Sequence, residues 1–141
     1  MKKSFIILLS LIVIMTSCSK EEQNPFVDEG SRYPVSESDI SPTKDVTYYF
    51  WEEKSNSSII TYYCFYSVPI LNTTAGFKGS WDDNKKKTVS QEVFDYSIEN
   101  SFLTMSYSTH KEVFMMEKMK NRPIEDGDRV FLNGKQFRVD I

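Results

Sequence analysis

Large and small side chains alternate strictly between Phe94 and Tyr107, and this pattern constrains the fold more than any other feature of the chain. Phe94, Tyr96 and Ile98 alternate with Asp95, Ser97 and Glu99. After Asn100-Ser101, Leu103, Met105 and Tyr107 alternate with Thr104, Ser106 and Ser108. Neighbouring side chains on a strand point to opposite faces, so a period of two places the large residues on one face and the small polar ones on the other. The stretch therefore reads as a half-buried antiparallel pair.

Other segments carry the same signature. Thr47-Tyr48-Tyr49-Phe50-Trp51 and Ile59-Ile60-Thr61-Tyr62-Tyr63-Cys64-Phe65-Tyr66 are aromatic and β-branched, which suits strands. Ser55-Asn56-Ser57-Ser58 between them reads as a turn. Val130-Phe131-Leu132 and Lys135-Gln136-Phe137-Arg138-Val139 flank Asn133-Gly134, a pair that favours the positive φ a two-residue hairpin turn requires. That turn pairs Leu132 with Lys135 and Val130 with Phe137, and puts Phe137, Val139 and Ile141 on one face. Gly76-Phe77-Lys78-Gly79-Ser80-Trp81 reads as a bent strand with close backbone approach at its glycines. Residues 111–119 fit a strand in context, although their Glu, Met and Lys are also good helix formers. Seven or eight short strands over 46–141 imply an all-β domain with one core: a small antiparallel meander, closed as a barrel or folded as a β-sandwich.

The start of the chain concerns address. Lys2 and Lys3 precede an apolar run, Phe5 to Met15, and Thr16-Ser17 lead into Cys18. Basic, apolar and small in that order is the pattern of a removable signal peptide, here residues 1–17. The run is too short for a bilayer span, which takes about 20 apolar residues. Met15-Thr16-Ser17-Cys18 resembles the lipobox of bacterial lipoproteins. The resemblance implies that Cys18 carries lipid and anchors the mature chain to a membrane. Stable anchoring takes more than one acyl chain, a need that a multiply acylated cysteine meets. Lys20-Glu21-Glu22 resembles the surface-export signal of Bacteroidota-type lipoproteins, which implies the outer membrane and its outer leaflet.

Residues 18–45 are rich in Ser, Glu, Asp and Pro, with scattered apolar residues and no period. Such a composition predicts a lipidated, disordered tether. Its roughly 27 residues would reach about 30 Å as a flexible coil.

Charge and composition narrow the function. Lys and Arg number 17 and Asp and Glu 20. Loss of Lys2 and Lys3 leaves 15 against 20, a net charge of −5, which argues against nucleic acid as a partner. Lys85-Lys86-Lys87 beside Asp82-Asp83 reads as a solvated turn. With Cys18 lipidated, Cys64 has no cysteine left to pair with and lies in an aromatic stretch, which predicts a buried, inert thiol. One histidine, His110, and one free cysteine fall short of a zinc set. Asp82-Asp83-Asn84 and Glu125-Asp126-Gly127-Asp128 read as surface turns, since neither has the spacing of a twelve-residue calcium loop. Phosphate loops and nucleophile elbows are missing from the sequence. The expectation is a non-enzyme without metal or cofactor.

Aromatic residues on both faces of 48–51 and 62–66 are what stands out. One face can be core; the other suits flat apolar ligands, sugars or protein partners. Gly79-Ser80-Trp81, with the hairpin 94–105, resembles lipocalin-like lipoproteins, which implies a barrel. In those proteins Gly-x-Trp usually opens the barrel, whereas two predicted strands precede it here. The expected function is binding of a small apolar or glycan ligand, with Trp51, Tyr63 and Trp81 as contacts. The alternative is a structural or interaction subunit of a cell-envelope assembly.

Overall fold

The structure, a computed structural model, describes residues 32–53, 56–68 and 73–141. The expected signal segment 1–17, Cys18 and the first part of the expected tether lie outside the described residues.

Nine strands form among the described residues: β1 (Tyr33–Pro34), β2 (Tyr48–Glu52), β3 (Ile59–Val68), β4 (Thr73–Asp82), β5 (Lys87–Glu99), β6 (Phe102–Ser106), β7 (Lys111–Lys118), β8 (Arg129–Leu132) and β9 (Lys135–Asp140). From β2 to β9 every strand pairs antiparallel with the next, and β9 pairs back onto β2. The result is a closed, eight-stranded, up-and-down barrel, not a sandwich. Residues 111–118 are strand. Closure removes the unpaired edges that an open meander would expose.

The turns are where the sequence predicts them. Asn133 (φ 51°) and Gly134 (φ 82°) take the left-handed conformation, and Leu132 pairs with Lys135 and Val130 with Phe137. Asn100 and Ser101 also have positive φ. Phe137 and Val139 enter the core, but β9 ends at Asp140 and Ile141 is exposed. On β4 the glycines permit close approach: a Cβ on Gly76 would lie 2.3 Å from the Cys64 carbonyl oxygen, and one on Gly79 2.3 Å from the Tyr62 ring. The register slips beside Ser80 and Trp81, where β5 holds one extra residue. Such a bulge sharpens the local bend.

The alternation of 94–107 orients the core. Phe94, Tyr96, Ile98, Leu103, Met105 and Tyr107 all point inward. Phe50, Phe65, Met116, Leu132, Val130 and Val139 meet them with almost no exposure. Eight strands leave an interior just wide enough for side chains to fill, and these large residues fill its middle.

The expected tether needs correction. Residues 32–45 are folded against the barrel. β1 pairs with the end of β7, Tyr33 opposite Lys118 and Pro34 opposite Glu117. A 3-10 turn follows at Glu37–Asp39, and Val35 and Ile40 are buried in the core. Together with Ile124 from the β7–β8 connection they supply apolar surface where strand ends would otherwise leave the core open. Burial of these two aliphatic side chains contributes about 1.5–3 kcal/mol each and acts together with the β1–β7 pairing and the Asp39–Lys118 ion pair to hold the segment.

Candidate functional site

Three places on the barrel bring chemistry together: its two ends and the outer face of β2–β4.

The end formed by the β2–β3, β4–β5, β6–β7 and β8–β9 turns is polar. Lys78 pairs with Glu112 at 3.0 Å, and Lys135 pairs with Glu52. Glu52 also accepts the Thr61 amide at 3.2 Å, and Tyr107 donates its hydroxyl to Glu112 at 2.5 Å. Burial first, and then Glu112, hold the phenols of Tyr107 and Tyr63 well above their ordinary range. The cavity here is about 230 Å³, below the roughly 300–1,000 Å³ of small-molecule sites. Each lysine already has a carboxylate partner.

The opposite end carries the larger space. A groove of about 660 Å³ runs between the folded N-terminal segment and the ends of β3, β4 and β5. One wall is the 36–42 segment, held by its own bonds. The Ser36 amide donates to Asp39 at 2.8 Å, and the Ser41 hydroxyl donates to the Ser38 carbonyl at 3.2 Å. Asp39 is fixed in turn by Lys118 at 2.7 Å. The other wall presents Tyr66, Ser67, Thr74 and Tyr96. The Thr74 hydroxyl donates to the Tyr96 carbonyl at 2.8 Å, tying β4 to β5. Five serines and one threonine line the groove, with two tyrosines and the apolar Ile40, Pro42 and Ile98. Its charged lining residues among those described are Glu37 and Glu99, both acidic. Burial, helped by Tyr48 and Glu37, pushes the Tyr96 phenol up to about 12, so it stays neutral at physiological pH. Among the described residues, the surface is therefore one of hydroxyls and aromatic faces without a cation.

The outer face of β2–β4 is an aromatic belt. Trp51 stacks on Tyr62 with centroids 4.6 Å apart, and Trp81 meets Trp51 edge-on at 6.3 Å. Tyr49 lies 6.2 Å from Trp51, and Phe77 contacts Tyr62 edge-on at 6.0 Å. The Tyr62 hydroxyl bonds Thr88 at 3.1 Å and accepts from Gln91 at 3.3 Å. Tyr62 and Cys64 are buried beneath this belt, whereas Trp51 and Trp81 remain half-buried at its surface. Burial pushes the Cys64 thiol up to about 11, so it is protonated at neutral pH.

Of the three residues expected to share a site, Trp51 and Trp81 are brought together and Tyr63 is not. Tyr63 neighbours Tyr62 on β3, so it points the other way, into the barrel, where it packs on Phe137 and Phe114. Set against protein-family models, curated proteins and solved structures, the chain matches none. Sequence reasoning missed the groove, because one wall belongs to the segment taken for a tether. The available signal was the pair of isolated apolar residues, Val35 and Ile40, that the barrel buries.

Proposed function

We propose that the chain is a bacterial lipoprotein whose Cys18 carries lipid. It anchors a non-catalytic barrel in the cell envelope, at the outer membrane, and Lys20-Glu21-Glu22 favours the cell surface. The barrel binds a small neutral ligand of glycan character in the groove between the 36–42 segment and β3–β5. The groove's size and its lining, rich in hydroxyls and free of cations among the described residues, carry this reading. Sugars are recognised by hydroxyl partners and flat aromatic faces, and an anionic ligand would meet Glu37 and Glu99 without a counter-charge. The filled barrel middle argues against a ligand at the centre.

The test is native mass spectrometry of the full chain purified from its own membranes in detergent. A co-purifying small glycan, lost in a Ser67→Trp variant that melts normally, supports the reading. A chain that carries no small molecule and binds no glycan on titration sinks it.

The half-buried Trp51 and Trp81 favour a second reading, an interaction surface for another envelope protein. A protein partner that co-purifies with the wild type and is lost in Trp51→Ser and Trp81→Ser would favour it over the first.

A further inference from the structure

Across the barrel from the aromatic belt, the outer face of β6 and β7 carries three exposed apolar side chains among the polar Thr104, Ser106, Lys111 and Glu117. Phe102, Val113 and Met115 are 46%, 54% and 47% exposed. They form one patch: Phe102 stands opposite Met115 in register, and Thr104 opposite Val113. Exposed Pro34 on β1 adjoins them across Glu117.

The chain joins the barrel at this same face. β1 pairs with β7 just beyond Met115, and the Val35 amide donates to the Ser101 hydroxyl at 2.9 Å, next to Phe102. Thirteen residues, 19–31, lie between Cys18 and Arg32. They span at most about 50 Å, so a lipid on Cys18 keeps a bilayer within reach of the patch at high effective concentration.

We infer that the β6–β7 face seats on the lipid bilayer, with Phe102, Val113 and Met115 in the headgroup boundary. The inference rests on the lipid anchor at Cys18. The charges around the patch are mixed. Glu99 stands beside Phe102 in register, Lys111 shares the outer face of β7 with Val113, and Arg32 pairs with Glu117 at 3.7 Å. No cationic cluster surrounds the patch among these neighbours, so seating is driven by apolar contact, suits a neutral bilayer and is insensitive to salt. It leaves Trp51 and Trp81 away from the bilayer, because β2 and β3 lie across the barrel from β6 and β7 and β5 stands between β4 and β6.

Hydroxyl-radical oxidation read by mass spectrometry tests this. The full acylated chain in phosphatidylcholine vesicles is compared with the Cys18→Ala chain in solution. Flotation and fatty-acid labelling report the anchor independently. Phe102 and Met115, sunk about 5–10 Å into the headgroup boundary, should oxidise several-fold more slowly on vesicles, and Trp51 and Trp81 should keep their rates. Unchanged Phe102 and Met115 rates in a chain that floats would overturn the seating and leave the anchor standing. A chain that neither floats nor takes up fatty acid overturns both. Protection in the Cys18→Ala chain that disappears on dilution would assign the patch to a second copy, against the inference.

Discussion

Asp39, in the 3-10 turn ahead of the barrel, accepts a 2.7 Å hydrogen bond from Lys118 at the end of β7, with the two side chains 6% and 10% exposed. The other carboxylate oxygen of Asp39 accepts the Ser36 amide. The pair joins the N-terminal segment to the strand that closes the barrel against β8. Removing one partner strands the other charge away from water, and Asp39→Asn or Lys118→Met should each cost about 3–5 kcal/mol. The double variant Asp39→Asn/Lys118→Met should cost far less than the two singles together, because it leaves no charge behind. Urea unfolding of the four proteins checks this. Additive losses would mean that the two residues act separately.

Gly76 and Gly79 differ in what blocks them. At Gly76 an added methyl meets the Cys64 carbonyl oxygen and the Phe94 ring. Neither gives way easily, since one is sheet backbone and the other is buried in the core. At Gly79 the obstacle is the Tyr62 ring, pinned through its hydroxyl to Thr88 and Gln91. Overpacking typically costs about 1–3 kcal/mol. Gly76→Ala should lie at or above the top of that range and Gly79→Ala within it. Thermal melts of both variants give the order, and a Gly76→Ala protein that melts like wild type would contradict the packing described.

Tyr62→Phe isolates one part of the aromatic belt. It keeps the stacking with Trp51 and removes the bonds to Thr88 and Gln91. Each such bond contributes about 0.5–1.5 kcal/mol net, so the expected loss is on the order of 1–2 kcal/mol. Trp51→Ala should cost more, because it uncovers the Tyr62 ring as well as losing the stack. Denaturant midpoints of the two variants rank these contributions.

The strands were legible because their signals are local. Phe94 to Tyr107 declares its two faces by period alone, and Asn133-Gly134 fixes a register through backbone sterics. Barrel closure was not legible: the β9–β2 pairing of Val139 with Phe50 joins distant segments, and nothing in either strand favours a barrel over a sandwich. Residues 32–45 were misread because turns and caps use the same Ser, Asp and Pro that mark disorder. Val35 and Ile40 show no period, since they enter the core from a segment that holds only a two-residue strand and a 3-10 turn. Tyr63 was grouped with Trp51 by residue type, although its place beside Tyr62 on a strand puts the two on opposite faces.

Stability should fall in alkali for a nameable set of residues. Burial raises the Cys64 thiol from its ordinary 9.0 to about 11 and the Tyr96 phenol from 10.0 to about 12. Tyr63 and Tyr107 move in the same direction, through burial and then Glu112. A raised folded-state value means that the unfolded chain loses its proton first. Stability is therefore complete below about pH 9 and declines as pH rises through the folded-state values. Cys64 accounts for the onset, at most roughly 3 kcal/mol for a thiol raised from 9.0 to about 11. Replacing it by alanine should delay the fall from about pH 9 to about pH 10, where the tyrosines take over. Melting temperatures measured from neutral to alkaline pH on wild type and Cys64→Ala test the assignment. Identical curves for the two proteins would show that the buried thiol plays no part in it.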